Sequence, residues 1–311
     1  MSKASFHPEQ SIPDLTGRVY LVTGGTTGLG AGFISLIAAK NPAKIFLSGR
    51  NRAKADALIS KLKTISTSTE VIFIECDLTS LASVKQAAQQ FLSQSNRLDV
   101  LMCNAGVMAI PPGLSKDGYE IQFATNHLGH ALLIKLLLPT LLDTAKQPNS
   151  DVRIVNMAST AYSTTPRGGI EFSTLKTSQA SIGPIYQPKK FTRYGQSKLA
   201  NLLYAVELAR RYPNITSVAI HPGFIKTDLH SNEGFFDRRI VSIASGGNWI
   251  AVEEGPYNQT WAATTPKEDL KNGAYYEPIG KLVVPSTTYG RDTALAKKLF
   301  EWTEEELQSF S

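Results

Sequence analysis

Between Arg18 and Ala39 the chain reads strand, glycine turn, helix. Arg18-Val19-Tyr20-Leu21-Val22 is an apolar run of strand length that leads directly into Thr23-Gly24-Gly25-Thr26-Thr27-Gly28-Leu29-Gly30, and an apolar helical segment, Phe33 to Ala39, follows. In that context the glycines have separate physical tasks. Gly24 can make the tight turn, Gly28 lets backbone approach a pyrophosphate, and Gly30 allows close packing, with the helix N-terminus facing the phosphates.

The alternation continues down the chain. Strands are expected at Lys44–Ser48, Val71–Ile74, Leu98–Cys103, Val152–Met157, Ile215–Ile220 and near Ala274-Tyr275-Tyr276. Helices are expected at Leu81–Leu92 behind the cap Ser80, at Gly118 to about Leu142, from Tyr194 to Arg211, and from Thr293 to Gln308. Parallel neighbours need crossover connections, so this order predicts an α/β doubly wound Rossmann fold with a single parallel seven-stranded sheet and helices on both faces. One domain over residues 1–311 is expected, with a loop-rich insertion at 160–193 and a substrate lid at 224–250. The run Ala131 to Leu138 is apolar nearly all round, which suggests deep burial or a shared subunit face, and a homo-oligomer, most simply a dimer, is expected.

The second strand ends where a carboxylate would meet the ribose hydroxyls of NAD, and Arg50 stands there instead. With Arg52 and Lys54 behind it, the loop suits the 2′-phosphate of NADP. The net charge of +6 has no basic block and no basic stretch interleaved with aromatics, so nucleic acid is not implied. Cys76 and Cys103 lack a C-x-x-C spacing and read as buried reduced thiols; with no apolar leader or run of 18 apolar residues, a soluble cytoplasmic protein without a membrane span is expected.

Tyr194 and Lys198 are four apart on one helical face, so a phenol sits beside an ammonium that favours the phenolate, and such a tyrosine can act as a general acid or base. Ser159, delivered by the fifth strand to the carboxyl edge of the sheet, is a candidate catalytic hydroxyl. His127 and His130 lack a third ligand, so no metal is expected; His221 reads as hydrogen-bonded structure. No G-x-S-x-G elbow supports a hydrolase.

As a set, Thr23-Gly24-x-x-x-Gly28-x-Gly30, Asp77, Asn104-Ala105-Gly106, Asn126, Ser159, Tyr194-x-x-x-Lys198 and Pro222-Gly223 resemble the classical short-chain dehydrogenase/reductase family. Asn126-His127-Leu128-Gly129-His130 and the long stretch between Ser159 and Tyr194 resemble its branch of retinol dehydrogenases and WW-domain oxidoreductases. The resemblance implies that Tyr194 exchanges a proton with a carbonyl or alcohol, Ser159 hydrogen-bonds the same oxygen, Lys198 holds the nicotinamide ribose, and Asn126 fixes a water that links Lys198 to solvent. It places Gly24, Thr26, Thr27, Gly28, Leu29, Gly30, Arg50, Asp77, Leu78, Asn104, Ala105, Gly106, Pro222, Gly223 and Thr227 against the cofactor, together with Tyr194 and Lys198. Asp77 would meet the adenine and Thr227 the nicotinamide carboxamide. NADP(H) is expected over NAD(H). Phe172, Leu175, Ile182 and Tyr186 in the insertion, with Phe235, Phe236, Ile240 and Trp249 in the lid, suggest a bulky lipophilic or aromatic carbonyl or alcohol as substrate. Peripheral membrane contact is not predicted. A rival reading is a low-turnover NADP(H)-binding regulatory or scaffold protein of the same fold.

Overall fold

The computed structural model describes residues 6–225, 247 and 249–310. Its strands are β1 (Val19–Thr23), β2 (Lys44–Gly49), β3 (Glu70–Glu75), β4 (Val100–Cys103), β5 (Arg153–Met157), β6 (Thr216–Ile220), β7 (Phe224–Ile225), β8 (Trp249–Ile250), β9 (Tyr275–Glu277) and β10 (Lys281–Val283). The main sheet has eight strands in the order β10-β9-β6-β5-β4-β1-β2-β3; β7 and β8 form a separate parallel pair. Strand order reverses at β1, which pairs in parallel with both β2 and β4. The crevice at that reversal is where such sheets take a ligand.

Seven strands are parallel, as expected, and the eighth corrects the all-parallel count. Strand β10 runs antiparallel to β9, because Pro278, Ile279 and Gly280 return the chain too quickly for a crossover. Three residues of strand are too few to produce a legible alternation.

The helices are α1 (Pro8–Ser11), α2 (Gly28–Ala38), α3 (Arg52–Leu62), α4 (Leu81–Leu92), α5 (Ile121–Ala145), α6 (Lys189–Arg211), α7 (Tyr257–Thr264) and α8 (Thr293–Glu306). One core lies between the sheet and α2, with Tyr20, Val22, Phe33, Ile34 and Ile37 buried. The other lies between the sheet and α4, α5 and α6, where Leu101, Val84, Leu132 and Leu199 meet. Arg211 stacks 4.1 Å over the Phe300 ring and Tyr204 packs parallel to it, which fastens α8 to α6.

Helix α5 is interrupted as well as apolar. Glu120 caps it by accepting from Phe123 N at 2.7 Å, and Ala124–Leu128 then form a π-helical turn before regular helix resumes at Gly129. By length and composition α5 could cross a membrane, yet Leu132, Leu133, Ile134, Leu137 and Leu141 are buried in the chain's own core. The apolar run that suggested a subunit face is therefore largely covered within the chain, with Leu136 and Leu138 only partly buried.

Helix α6 begins at Lys189 rather than at Tyr194. Pro188 occupies its N-cap, and the mixed sequence Lys189-Lys190-Phe191-Thr192-Arg193 conceals the periodicity although Phe191, Thr192 and Arg193 are buried. Tyr194 thus sits in the second turn, held by helix on both sides.

Candidate active site

The glycine turn has a tight bend at Gly24 and close packing at Gly30. Gly24 has φ +63°, and a Cβ there would lie 3.0 Å from Ala105 Cα. At Gly30 a Cβ would overlap the Gly24 carbonyl oxygen, so only glycine lets α2 press against the turn that precedes it. Gly28, at φ +56°, has nothing among the described residues within 4 Å of its ideal Cβ. Thr27 gives α2 no side-chain cap. Open space beside a bare helix N-terminus fits an anionic phosphate.

These residues form one end of a cavity of about 800 Å³. Thr26, Thr27, Leu29, Leu78, Ala105, Pro222 and Gly223 line it as well, whereas Gly30 lies behind it. Arg50 lines the cavity, is exposed, and makes no ion pair or hydrogen bond among the described residues. Arg52 lies 4.9 Å over the Phe73 ring and 3.9 Å from Asp56, and neither it nor Lys54 reaches the cavity. Of the three basic residues, Arg50 alone faces the ligand space.

Asp77 also lines the cavity. Burial raises its carboxyl, but hydrogen bonds from Lys116 and Thr79 prevail and hold it below its ordinary value, so it is an anion. Asn104 turns its amide back, donating to Thr23 O at 2.8 Å and Gly24 O at 3.3 Å, and so ties the end of β4 to the glycine turn. Gly106 makes room for its neighbours: a Cβ there would lie 3.1 Å from Asn126 Oδ1 and 3.5 Å from Lys198 Nζ.

Asn126 sits in the π-helical turn. Its Nδ2 donates to Val107 O and to Ser197 Oγ, and its Oδ1 accepts from Val107 N at 2.8 Å, so its side chain joins the segment after β4 to α6 and does not line the cavity. Its main-chain oxygen lies 3.0 Å from His130 Nδ1, while His130 Nε2 lies 2.7 Å from Thr23 Oγ1. Burial depresses His130 to about 4 and His127, hydrogen-bonded to Thr303, to about 3. Both are neutral core histidines.

On the other wall stand Ser159, Tyr194 and Lys198. Ser159 follows β5 and caps a 3₁₀ turn, Thr160–Ser163, by accepting from Ala161 N at 3.2 Å. Lys198 Nζ lies 5.6 Å from the centre of the Tyr194 ring and donates to Met157 O at 2.8 Å. Burial lowers the Lys198 ammonium from 10.5 to about 7. An amine held there exchanges its proton easily near neutral pH. His221, depressed to about 4 by burial and then by the Lys198 charge, lines the same wall; its Nδ1 has no hydrogen-bond partner among the described residues, while its backbone is fixed by Tyr276 and Asn258.

Gly195 went unread in the sequence, although Tyr194-Gly195 is its visible signal. A Cβ on it would overlap the Thr164 carbonyl oxygen and lie 2.5 Å from the Ala161 carbonyl oxygen. The 3₁₀ turn that carries Ser159 therefore rests directly on α6 beside Tyr194. Gly195→Ala should push the turn that carries Ser159 away from Tyr194, lowering stability by about 1–3 kcal/mol and kcat with it. Thermal melting and turnover check this, and unchanged values in both would show that the turn does not depend on the contact.

Met108, Gln187, Phe191 and Phe224 also line the cavity and were not singled out. Phe172 and Leu175 were expected there, but Phe172 packs against Trp302 and Leu175 is buried in the core; they fasten the insertion to the domain. Ile182 and Tyr186 line a different cavity. Trp249 lies 6.4 Å from Phe224. Thr227, Phe235, Phe236 and Ile240, and with them most of the expected lid, lie outside the described residues.

Known proteins similar to this chain identify its family. Residues 18–182 match the family model described as short chain dehydrogenase. A short-chain dehydrogenase/reductase of Armillaria gallica is 39% identical over 298 residues, covering 94% of this chain and 91% of that protein. An uncharacterized oxidoreductase of Schizosaccharomyces pombe is 38% identical over 300 residues, covering 94% and 85%. Among solved structures, the NADPH-bound carbonyl reductase from chicken fatty liver superposes with a TM-score of 0.62 at 25% identity, covering 87% of this chain and 100% of that one.

Proposed function

This chain belongs to the short-chain dehydrogenase/reductase family of oxidoreductases, and from that premise we propose that it moves hydride between NADP(H) and the carbonyl or alcohol of a bulky lipophilic or aromatic metabolite. The observation that carries the reading is the single cavity that joins the glycine turn to Ser159, Tyr194 and Lys198. The nicotinamide, when bound, supplies the hydride. The chain's own residues supply the rest. Gly28 and the bare start of α2 receive the phosphates, and the two Lys198 hydrogens not directed at Met157 O are available to ribose hydroxyls. Ser159 and the Tyr194 hydroxyl hold the substrate oxygen, and Tyr194 gives it a proton in reduction or takes one in oxidation. Lys198, with its depressed pKa, restores the Tyr194 proton.

The substrate class rests on Met108, Met157, Phe191, Phe224 and Ile225, which give the inner cavity an apolar wall. A cytoplasmic location is part of the reading and is supported by two free, buried thiols.

NADP preference rests on Arg50, whose guanidinium is free to grip a 2′-phosphate. Arg50→Asp should weaken NADPH binding by at least about tenfold and leave NADH within a factor of about three, since a like charge replaces the cation beside the extra phosphate. Fluorescence titration with both cofactors measures this. A wild-type chain that binds NADH more tightly than NADPH would overturn the assignment.

A further inference from the structure

A second cavity, of about 1230 Å³, lies in the insertion and shares Ser163 and Gln187 with the catalytic cavity, so the two adjoin across a common rim. Its chemistry differs from that of its neighbour. The frame is fixed by internal bonds: Gln179 Nε2 donates to Thr174 Oγ1 at 2.9 Å, Gln179 Oε1 accepts from Gln196 Nε2 at 2.8 Å, and Tyr289 OH accepts from Gly168 N at 2.9 Å. On that frame the side chains of Thr165, Arg167, Ser178, Ser181, Tyr186 and Thr288 make no hydrogen bond or ion pair among the described residues, so their polar groups are open to a ligand. Five carry hydroxyls that both donate and accept, which matches a ligand made of hydroxyls. The lining holds one cation, Arg167, and one carboxylate, Glu171, so it selects neither sign of charge. Tyr186 and Tyr289 supply aromatic faces of the kind that pack on the C–H surface of a sugar ring.

We propose that this cavity is a subsite for a neutral, polyhydroxylated group, a glycosyl or polyol unit, carried by the same substrate whose carbonyl lies between Ser159 and Tyr194. The substrate is then amphipathic, with its apolar body against Phe191 and Met108 and its hydroxylated end beyond Ser163 and Gln187. The inference rests on the hydride-transfer reading above for the position of the carbonyl. It changes the expected substrate from a plain lipophile to a conjugate.

The test uses an aryl ketone and the same ketone carrying a glucosyl group on the end remote from the carbonyl. NADPH oxidation is followed with the wild-type chain and with Arg167→Ala combined with Ser181→Ala. The glucoside should have a KM roughly tenfold below that of the ketone in the wild type, and the double variant should lose that advantage while its kinetics on the plain ketone stay unchanged. Saturation-transfer NMR with the glucoside reads the subsite without turnover: its sugar protons should be saturated by the wild type and not by the variant. Equal KM values for the pair, or sugar protons left unsaturated by the wild type, would overturn the subsite. Saturated sugar protons with no reduction of either ketone would support the subsite and overturn the hydride-transfer reading.

Discussion

Tyr194→Phe should lower the rate of carbonyl reduction by about 10²- to 10⁴-fold while NADPH binding stays within a factor of about two. The ring is buried on α6 and phenylalanine keeps its packing, so the variant removes only the group that exchanges the proton. Lys198 Nζ, 5.6 Å from the ring centre, does not occupy the place of the lost hydroxyl. Single-turnover reduction and a separate cofactor titration distinguish catalysis from binding. Rates equal to the wild type would overturn the mechanism and favour a cofactor-binding protein with no turnover role for this tyrosine.

Arg193→Met should destabilise the fold by about 3–5 kcal/mol, because it leaves a buried carboxylate without its cation. Arg193 and Glu120 are almost wholly buried, with Nε 3.3 Å from Oε1. The guanidinium also donates to Ile110 O at 3.0 Å, so one side chain joins α6, the start of α5 and the segment after β4, immediately before Tyr194. Burial raises the Glu120 carboxyl from 4.5 to about 7, against the lowering effects of the Phe123 and Gln122 amides and of Arg193. The folded chain therefore keeps a proton that the unfolded chain has already released between those values. Stability from this group is full below about pH 4.5 and is lost as the pH rises through about 7. Without Arg193 the carboxyl rises further, so the variant's deficit should be larger at about pH 8 than at about pH 5. Urea midpoints at the two pH values measure it, and Glu120→Gln in the same background should remove the difference. A deficit independent of pH would mean that the pair acts through packing alone.

The parts of the site that were legible in the sequence are those governed by backbone geometry over short spans. Gly24 and Gly28 take left-handed φ that favours glycine, Gly30 stands where backbone contact allows nothing larger, and Tyr194 and Lys198 share a face by helical spacing. The parts that were not legible depend on contacts between distant segments. Arg50, Arg52 and Lys54 look alike in sequence, and only the cation–π contact with Phe73 shows why Arg52 faces elsewhere. The Asn126 side-chain amide bonds Val107 and Ser197, partners 19 and 71 positions away that its place in the sequence does not show. Phe172 and Leu175 were expected to line the substrate pocket because apolar residues in a loop do not reveal whether they meet a ligand or the core.

The contacts of His130 have a directional consequence. A carbonyl oxygen can only accept, so Nδ1 must carry the ring proton toward Asn126 O, which leaves Nε2 bare and obliges the Thr23 hydroxyl to donate to it. The Thr23 oxygen is then free to accept from Ala105 N at 3.0 Å. Every dipole from Ala105 through Thr23 and His130 to Asn126 points the same way, and the backbone N–H at one end and carbonyl at the other hold that direction. An imidazolium would break the sequence at its middle, so the burial that keeps His130 neutral also preserves the polarity of a wire running from the glycine-turn side of the molecule to the helix behind Lys198.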